Sequence, residues 1–161
     1  MKLKTILMMA IVTLCSVACS DDKDVQPVAD SVAGTYKGTM DMTVAGNSAG
    51  SSDLSVTITK TSDETVSMTI VNEKTPAQGM SINRVEIEGI KVTDTGNSTY
   101  ALSKEIPEDG YTATDTGSAN KIVWTFKSFT GSVADKKMDV TMVAKPGSMP
   151  MPITLKFAGS K

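Results

Sequence analysis

The chain has 161 residues, and its 16 basic and 18 acidic side chains give a net charge of −2 at pH 7. A mildly acidic chain lacks the basic surface with which proteins bind nucleic acid, so no nucleic-acid partner is expected. The sequence contains no histidine. This absence excludes Ser–His and Cys–His catalysis and most kinds of zinc site.

The N-terminus has the three zones of a secretory signal peptide. Lys2 and Lys4 give a positive start, residues 6–14 are apolar apart from Thr13, and small residues then lead to Cys19. The apolar run is too short to cross a bilayer, which takes about 20 residues. Residues 1–18 are therefore predicted to be a signal peptide. A freely secreted product and an uncleaved anchor helix are the alternatives that this pattern alone leaves open.

Val17-Ala18-Cys19 resembles the end of the lipobox in bacterial lipoprotein precursors, where a small residue precedes the lipidated cysteine. The resemblance implies cleavage before Cys19 and a lipid anchor on Cys19, and two or more acyl chains hold a protein stably on a membrane. The acidic residues Asp21, Asp22 and Asp24 resemble the surface-export signal of Bacteroidetes lipoproteins. We therefore expect the protein on the outer membrane, anchored by lipid and facing the cell exterior.

Residues 19–33 are predicted to form a flexible acidic tether behind the lipidated cysteine, because they include Pro27 and few large apolar side chains. After cleavage no cysteine other than Cys19 is left, so no disulfide is expected. Residues 34–161 have the size of one ordinary domain. We find no second linker and no close internal repeat in this range.

Apolar and polar side chains alternate along much of residues 34–161, which is the pattern of half-buried β-strands. Threonine and valine, which suit a pleated surface, are abundant in the chain. No segment shows the pattern of a long amphipathic helix. The apolar positions that share a face in each predicted strand are Tyr36, Met40, Met42 and Val44; Leu54, Val56 and Ile58; Val66, Met68 and Ile70; Ile122, Trp124 and Phe126; Met138, Val140, Met142 and Ala144; and Ile153, Leu155 and Phe157.

Turn-forming residues separate these runs. A loop is predicted over residues 46–52, and shorter turns over residues 62–64, 94–97, 109–110 and 145–147. Short strands at regular spacing with turns between them indicate an all-β sandwich or barrel.

Two apolar patterns change phase within a run, one at Gly89 and one between Phe126 and Phe129. A β-bulge inside one strand and a break between two short strands would each produce such a shift. Bulges help a sheet to curl closed. With about eight to ten strands, the pattern predicts an antiparallel up-and-down β-barrel with a filled or ligand-sized interior.

Two stretches, residues 32–38 and residues 82–90, resemble the calycin-like β-barrel lipoproteins of Bacteroidetes. The first contains Gly34-Thr35-Tyr36 and Gly38 before an alternating strand, and the second is the run from Ile82 to Ile90. The resemblance covers most of residues 34–161 and implies a lipocalin-like antiparallel barrel. It brings no established activity or cofactor with it.

Few residues are candidates for catalysis or metal binding. Asp41, Glu86, Glu88 and Asp139 lie on predicted strands, and paired carboxylates can hydrolyse glycosides. Exposed charges that discourage strand pairing are the simpler explanation. The acidic residues near Asp109 lack the spacing of a calcium-binding loop. No catalytic residue, metal site or cofactor is therefore predicted, and we expect that the protein is not an enzyme.

Large inward-facing side chains are the candidate ligand contacts. Methionine adapts its shape to varied ligands, and aromatic side chains complete an apolar pocket. The same side chains can instead fill the barrel as an ordinary core, because small barrels are often packed shut. The residues predicted to line the interior are Tyr36, Met40, Met42, Met68, Trp124, Phe126, Met138 and Met142.

Two functions are consistent with the sequence. The first is a surface-anchored, lipocalin-like protein that binds a small apolar or amphipathic ligand inside its barrel. The second is a non-enzymatic structural or interaction subunit of an outer-membrane complex, with a filled core and exposed loops that contact a protein partner. The candidate contact loops are residues 46–52 and the segment that contains Pro146, Met149, Pro150, Met151 and Pro152.

Overall fold

The computed structural model describes residues 26–72 and 82–161. The predicted signal peptide, Cys19 and the acidic run lie outside these residues. The described part of the chain contains one short helix and nine strands: α1 (Val28–Val32), β1 (Gly34–Val44), β2 (Asn47–Lys60), β3 (Thr65–Val71), β4 (Arg84–Gly96), β5 (Thr99–Ser103), β6 (Tyr111–Thr114), β7 (Val123–Ala134), β8 (Lys137–Pro146) and β9 (Ile153–Ser160).

The strands form one antiparallel sheet that closes on itself. Its order is β5-β4-β3-β2-β1-β9-β8-β7-β6, and a further pairing between β5 and β7 completes the circle. Eight strands therefore make a closed up-and-down barrel, and β6 is an additional strand beside β7. The predicted all-β, antiparallel, calycin-like barrel is confirmed.

The two phase shifts are β-bulges inside single strands. Opposite β3, the register of β4 shifts between Ile87 and Ile90, and Gly89 adopts a φ of +65° that glycine tolerates best. In β7 the register shifts between Phe126 and Ser128. Since β4 and β7 each continue through the shift, the alternative of two short strands is wrong in both places.

The predicted loop over residues 46–52 is also wrong. The connection between β1 and β2 is a tight turn at Ala45 and Gly46, and β2 already begins at Asn47. Side chains at the start of β2 are exposed on both faces. No face of this part of the strand is buried, so the apolar alternation that reveals a strand is missing.

A short helix closes one end of the barrel, which we call the plugged end. The side chains of Ala29 and Val32 in α1 are fully buried in the barrel core. The N–H of Ala29 donates to the carbonyl of Asp63 in the β2–β3 turn at 3.1 Å. The Tyr36 hydroxyl donates to the carbonyl of Val32 at 2.8 Å. The segment predicted to be a flexible tether thus includes a helix that is part of the domain.

The C-terminus holds the same helix. The Lys161 ammonium donates to the carbonyls of Ala33 at 2.8 Å and Ser31 at 3.4 Å. It also lies 5.1 Å from the centre of the Tyr36 ring, which is close enough for a cation–π contact. Burial, together with the nearby charge of Lys136, lowers the pKa of Lys161.

The opposite end of the barrel carries the Ala45–Gly46 turn and residues 115–122 and 147–152, and we call it the loop end. The described chain begins at Gln26, just before α1. The described chain therefore begins at the plugged end of the barrel.

Candidate functional site

All eight residues predicted to line the interior do face it. Their side chains are at most 6 % exposed, and they belong to one continuous buried cluster that also contains α1. The structure therefore shows that these side chains occupy the barrel interior and pack against one another. Met138 lies in addition beside a depression of about 250 Å³ between β8 and β9.

Trp124 stands apart within this cluster. It is the one tryptophan of the chain, it is fully buried, and its Nε1–H has no hydrogen-bond partner among the described residues. A buried polar group without a partner costs about 1–3 kcal/mol, so native structures usually supply water or a ligand to it. In the sheet, Trp124 lies between Ala113 of β6 and Pro146 of β8.

The barrel wall has a seam beside β6. On one edge of β7, β5 pairs with Thr130–Ala134 and β6 pairs with Val123–Phe126. On the far side of β6 lies the first part of β4, but no ladder joins β4 to β6 in the described sheet. This seam contains a groove of about 240 Å³ lined by Arg84, Glu86, Glu88, Tyr111, Ala113, Thr114 and Thr116, which we call the seam groove.

Asp115 joins the two sides of the seam at the loop end. Its carboxylate is fully buried and accepts hydrogen bonds from the backbone N–H groups of Asn83 and Arg84, both at 2.9 Å, and of Gly117 at 3.0 Å. The N–H of Thr116 donates to the carbonyl of Arg84 at 2.9 Å. A side chain thus takes the place of ladder bonds here.

Tyr111 and Lys104 join the other end of the seam. The N–H of Glu88 donates to the Tyr111 hydroxyl at 3.2 Å, and the Lys104 ammonium donates to the carbonyl of Glu88. Lys104 also lies 4.0 Å from the centre of the Tyr111 ring. Burial lowers the pKa of Lys104, and the charge of Glu88 opposes this effect.

Glu86 lies between these two contacts. The backbone N–H of Asn72 donates to the carbonyl of Asn83. Because bonded and non-bonded pairs alternate along an antiparallel ladder, the residues of this segment whose backbone groups bond β3 are Asn83, Val85 and Ile87. Glu86, like its neighbours at 84 and 88, therefore directs its backbone N–H and C=O across the seam towards β6. It has no ladder partner there in the described sheet.

The carboxylates considered for catalysis are placed in three different strands. Glu86 and Glu88 share the exposed face of β4 at the seam groove. Asp41 is exposed on β1 opposite Lys156 of β9, and Asp139 is exposed on β8. The structure thus brings together only the pair on β4. Within residues 26–72 and 82–161, no cluster of three or more acidic or cysteine side chains could hold a metal ion.

The loop end carries exposed apolar side chains. Met151 is 43 % exposed, and Pro150 and Pro152 beside it are exposed as the sequence predicts. Pro146, predicted to be exposed in the same segment, is instead buried as the last residue of β8, opposite Trp124. Val123 is 44 % exposed, and its carbonyl accepts a hydrogen bond from the N–H of Gly147 at 2.7 Å.

Sequence reasoning missed Val123 and the seam groove. Val123 directly precedes the inward-facing Trp124, so the alternation of a strand predicts that Val123 faces outward. This position is the one feature of the sequence that could have revealed its exposure.

None of the helices in the described part of the chain has the length and apolar character needed to cross a bilayer.

The fold and its closed sheet define the class: a small antiparallel β-barrel with a helix-plugged end and a core of packed side chains. The chain belongs to the family of the calycin-like beta-barrel domain, whose family model matches residues 32–160. This match confirms the resemblance that residues 32–38 and 82–90 indicate. A comparison with curated proteins finds no match.

Among solved structures, the chain is similar to a "putative outer membrane protein" from Bacteroides fragilis. The two are 26% identical with a TM-score of 0.68, and the match covers 84% of this chain and 53% of the other. The chain thus spans about half the length of that relative. A redesigned beta barrel is 14% identical with a TM-score of 0.45, covering 85% of this chain and 98% of the other.

Proposed function

We propose that the protein is an outer-membrane lipoprotein, held by a lipid on Cys19 and facing the cell exterior. The lipobox-like Val17-Ala18-Cys19 and the acidic run support this address, and so does the likeness to the Bacteroides fragilis protein. Because α1, where the described chain begins, lies at the plugged end, the proposal directs the loop end away from the membrane.

The address is tested by labelling cells with a radioactive fatty acid. The wild-type protein is expected to take up label and to be cut by protease added to intact cells, whereas Cys19→Ala takes up none. Cys15→Ala is the matched control, because it changes the other cysteine of the precursor and should leave labelling intact. An unlabelled wild-type protein contradicts the lipid anchor, and a labelled protein that resists added protease contradicts the outward orientation.

We infer further that the barrel is a non-enzymatic scaffold whose loop end contacts a protein of the outer membrane. The observation that carries this inference is the location of Val123 and Met151, the large apolar side chains found exposed in the described chain, at the loop end of the barrel. Both side chains lie at the same end of the barrel, and contiguous exposed apolar patches mark contact surfaces. The packed interior supports the same function, because side chains already fill it and a partner would therefore bind the outer surface of the barrel.

Site-specific photo-crosslinking in outer membranes of the native host tests this function. A photoreactive residue at Met151 is expected to form one discrete protein adduct, and the same residue at Asn97, in a turn of the plugged end, is expected to form none. Val123→Glu should remove the Met151 adduct, because a charge replaces an apolar contact. Equal adducts from both positions, or none from Met151, would show that the loop end is not the contact surface.

A second candidate function, binding of a small apolar or amphipathic ligand within the barrel, is favoured by the unpaired Nε1–H of Trp124. A ligand acceptor that reaches this group would remove its desolvation cost. Native mass spectrometry of the mature chain with added lipid extract is the test. A bound mass that is lost in Trp124→Phe supports this candidate, and the absence of any bound mass rejects it.

A further inference from the structure

Met151 differs in its exposure from the other methionines of the barrel. Residues 26–72 and 82–161 contain seven methionines. Met149 is half-buried, whereas Met151 is 43 % exposed. Met151 is therefore the methionine of the described chain that solutes reach most readily. The other five point into the core and are at most 6 % exposed: Met40, Met42, Met68, Met138 and Met142.

The folded hairpin holds Met151 at the surface. The two ends of its loop are buried residues of β8 and β9, Pro146 and Ile153. The N–H of Gly147 donates to the carbonyl of Val123 at 2.7 Å and ties the loop to the start of β7. The exposure of Met151 is thus a property of the folded barrel and requires no local opening.

Exposure decides which methionine reacts with a peroxide. The lone pair of the thioether sulfur attacks the terminal oxygen of the peroxide, so that an S–O bond forms while the O–O bond breaks. The proton of the attacked oxygen goes to the leaving oxygen, which departs as water or an alcohol. The sulfur is oxidised by two electrons to the sulfoxide, and the peroxide is reduced. A buried thioether reacts only when the fold opens, so Met151 is expected to react before the core methionines.

A sulfoxide at this position changes the surface and leaves the core intact. Met151 does not belong to the buried cluster of side chains in the barrel, so its modification removes no core packing. The sulfoxide is polar, and a polar group that loses water at an interface without a new partner costs free energy. A partner that binds the apolar side chain of Met151 is therefore expected to bind its sulfoxide less tightly.

We propose that Met151 is a modification site for peroxides, and that its sulfoxide releases the protein partner from the loop end. Methionine sulfoxide reductases reverse the modification, so the loop end acts as a redox-sensitive contact. This inference rests on the proposed function, because it gives the regulation of the contact that Val123 and Met151 make.

The modification site is tested by peptide mapping of the full-length protein, extracted from outer membranes in detergent and treated with hydrogen peroxide. Mass spectrometry locates the added oxygen atom, and fragment ions distinguish Met151 from Met149. Met151 is expected to be oxidised at least about tenfold faster than the five core methionines, and faster than Met149. Equal rates, or faster oxidation of a core methionine, would overturn the site.

Unfolded protein is the control for this mapping. In concentrated urea all seven methionines are exposed, so their oxidation rates are expected to become similar. A preference for Met151 that persists in urea would overturn the role of the fold in selecting it.

The effect on the partner is tested by photo-crosslinking from Val123 in outer membranes of the native host. A photoreactive residue at Val123 is expected to form a protein adduct, and about tenfold less of it after treatment with hydrogen peroxide. Methionine sulfoxide reductases should restore the adduct. Met151→Leu is the matched variant, because leucine keeps an apolar side chain and takes up no oxygen. Its adduct should be unchanged by peroxide.

The outcomes separate this inference from the proposed function. Loss of the adduct with and without Met151→Leu would mean that peroxide acts elsewhere, and it would overturn the regulation. An adduct that persists although Met151 is oxidised would overturn it as well. No adduct before peroxide is added would contradict the proposed contact, whereas the mapping needs no partner and tests the modification site by itself.

Discussion

Asp115 shows how one side chain replaces part of a sheet. Its buried carboxylate accepts the backbone N–H groups of Asn83, Arg84 and Gly117. Asp115→Ala leaves these donors unpaired, so we expect the free energy of unfolding to fall by about 3 kcal/mol. Urea denaturation at pH 7 measures the change. The exposed Asp139→Ala is the control, and a similarly small loss in both variants would contradict the role of Asp115.

Tyr36 makes stability depend on pH at the alkaline end. Burial raises the pKa of Tyr36 from 10.0 to about 12, so the unfolded chain loses this proton first. The contribution to stability is therefore complete below pH 10 and is lost as the pH rises through 12. Tyr36→Phe should lose about 1 kcal/mol at pH 7, because the hydrogen bond to Val32 is gone.

The raised pKa of Tyr36 is tested by comparing how the free energy of unfolding of the wild type and of Tyr36→Phe changes with pH. Between pH 10 and pH 12 the wild type should lose up to about 2 kcal/mol more than Tyr36→Phe. Lys161, whose pKa is lowered, is present in both proteins, so its own titration largely cancels. Denaturant titrations at several alkaline pH values measure this difference, and parallel pH profiles would contradict the raised pKa.

At the scale of elements, the β7–β8 hairpin is turned by residues in an unfavourable conformation. Asp135 and Lys136 have φ values of +49° and +64°, as a type I′ turn requires, and glycine is the usual second residue there. Lys136→Gly should raise the free energy of unfolding by about 0.5–1 kcal/mol, because the conformational strain disappears. Thermal denaturation measures the gain. In the equivalent β1–β2 turn Gly46→Ala should lose a similar amount, and a loss in both variants would contradict this account.

The elements that the sequence predicts are those with one buried face. Met138 to Ala144 and Ile153 to Phe157 alternate because every second side chain enters the core. The start of β2 is exposed on both faces, α1 buries only Ala29 and Val32, and β6 has four residues. Segments that are so short or so exposed show no periodic pattern of apolar residues. The sequence therefore predicts a loop at the start of β2 and a tether at α1, and it does not predict β6.

At the scale of the whole molecule, closure was predictable and the seam was not. The phase changes at Gly89 and after Phe126 indicated bulges, which curl a sheet. The seam arises because β5 pairs with one part of β7 and β6 pairs with another part. These pairings join segments that are distant in the sequence, so a local pattern does not predict them. The inward direction of Met40 or Trp124 follows from parity, but how completely the side chains fill the enclosed space depends on how the strands pack.

The seam should also be where the barrel opens first. Backbone amides exchange with solvent through local opening, and those without a ladder bond exchange fastest. In native-state hydrogen exchange we therefore expect Glu86, Thr112 and Thr114 to exchange far faster than Val85 and Ile87, their near neighbours, which bond β3. Strands β1, β8 and β9, each paired on both sides, should be the slowest. Equal protection of Glu86 and Val85 would mean that the seam is closed in solution.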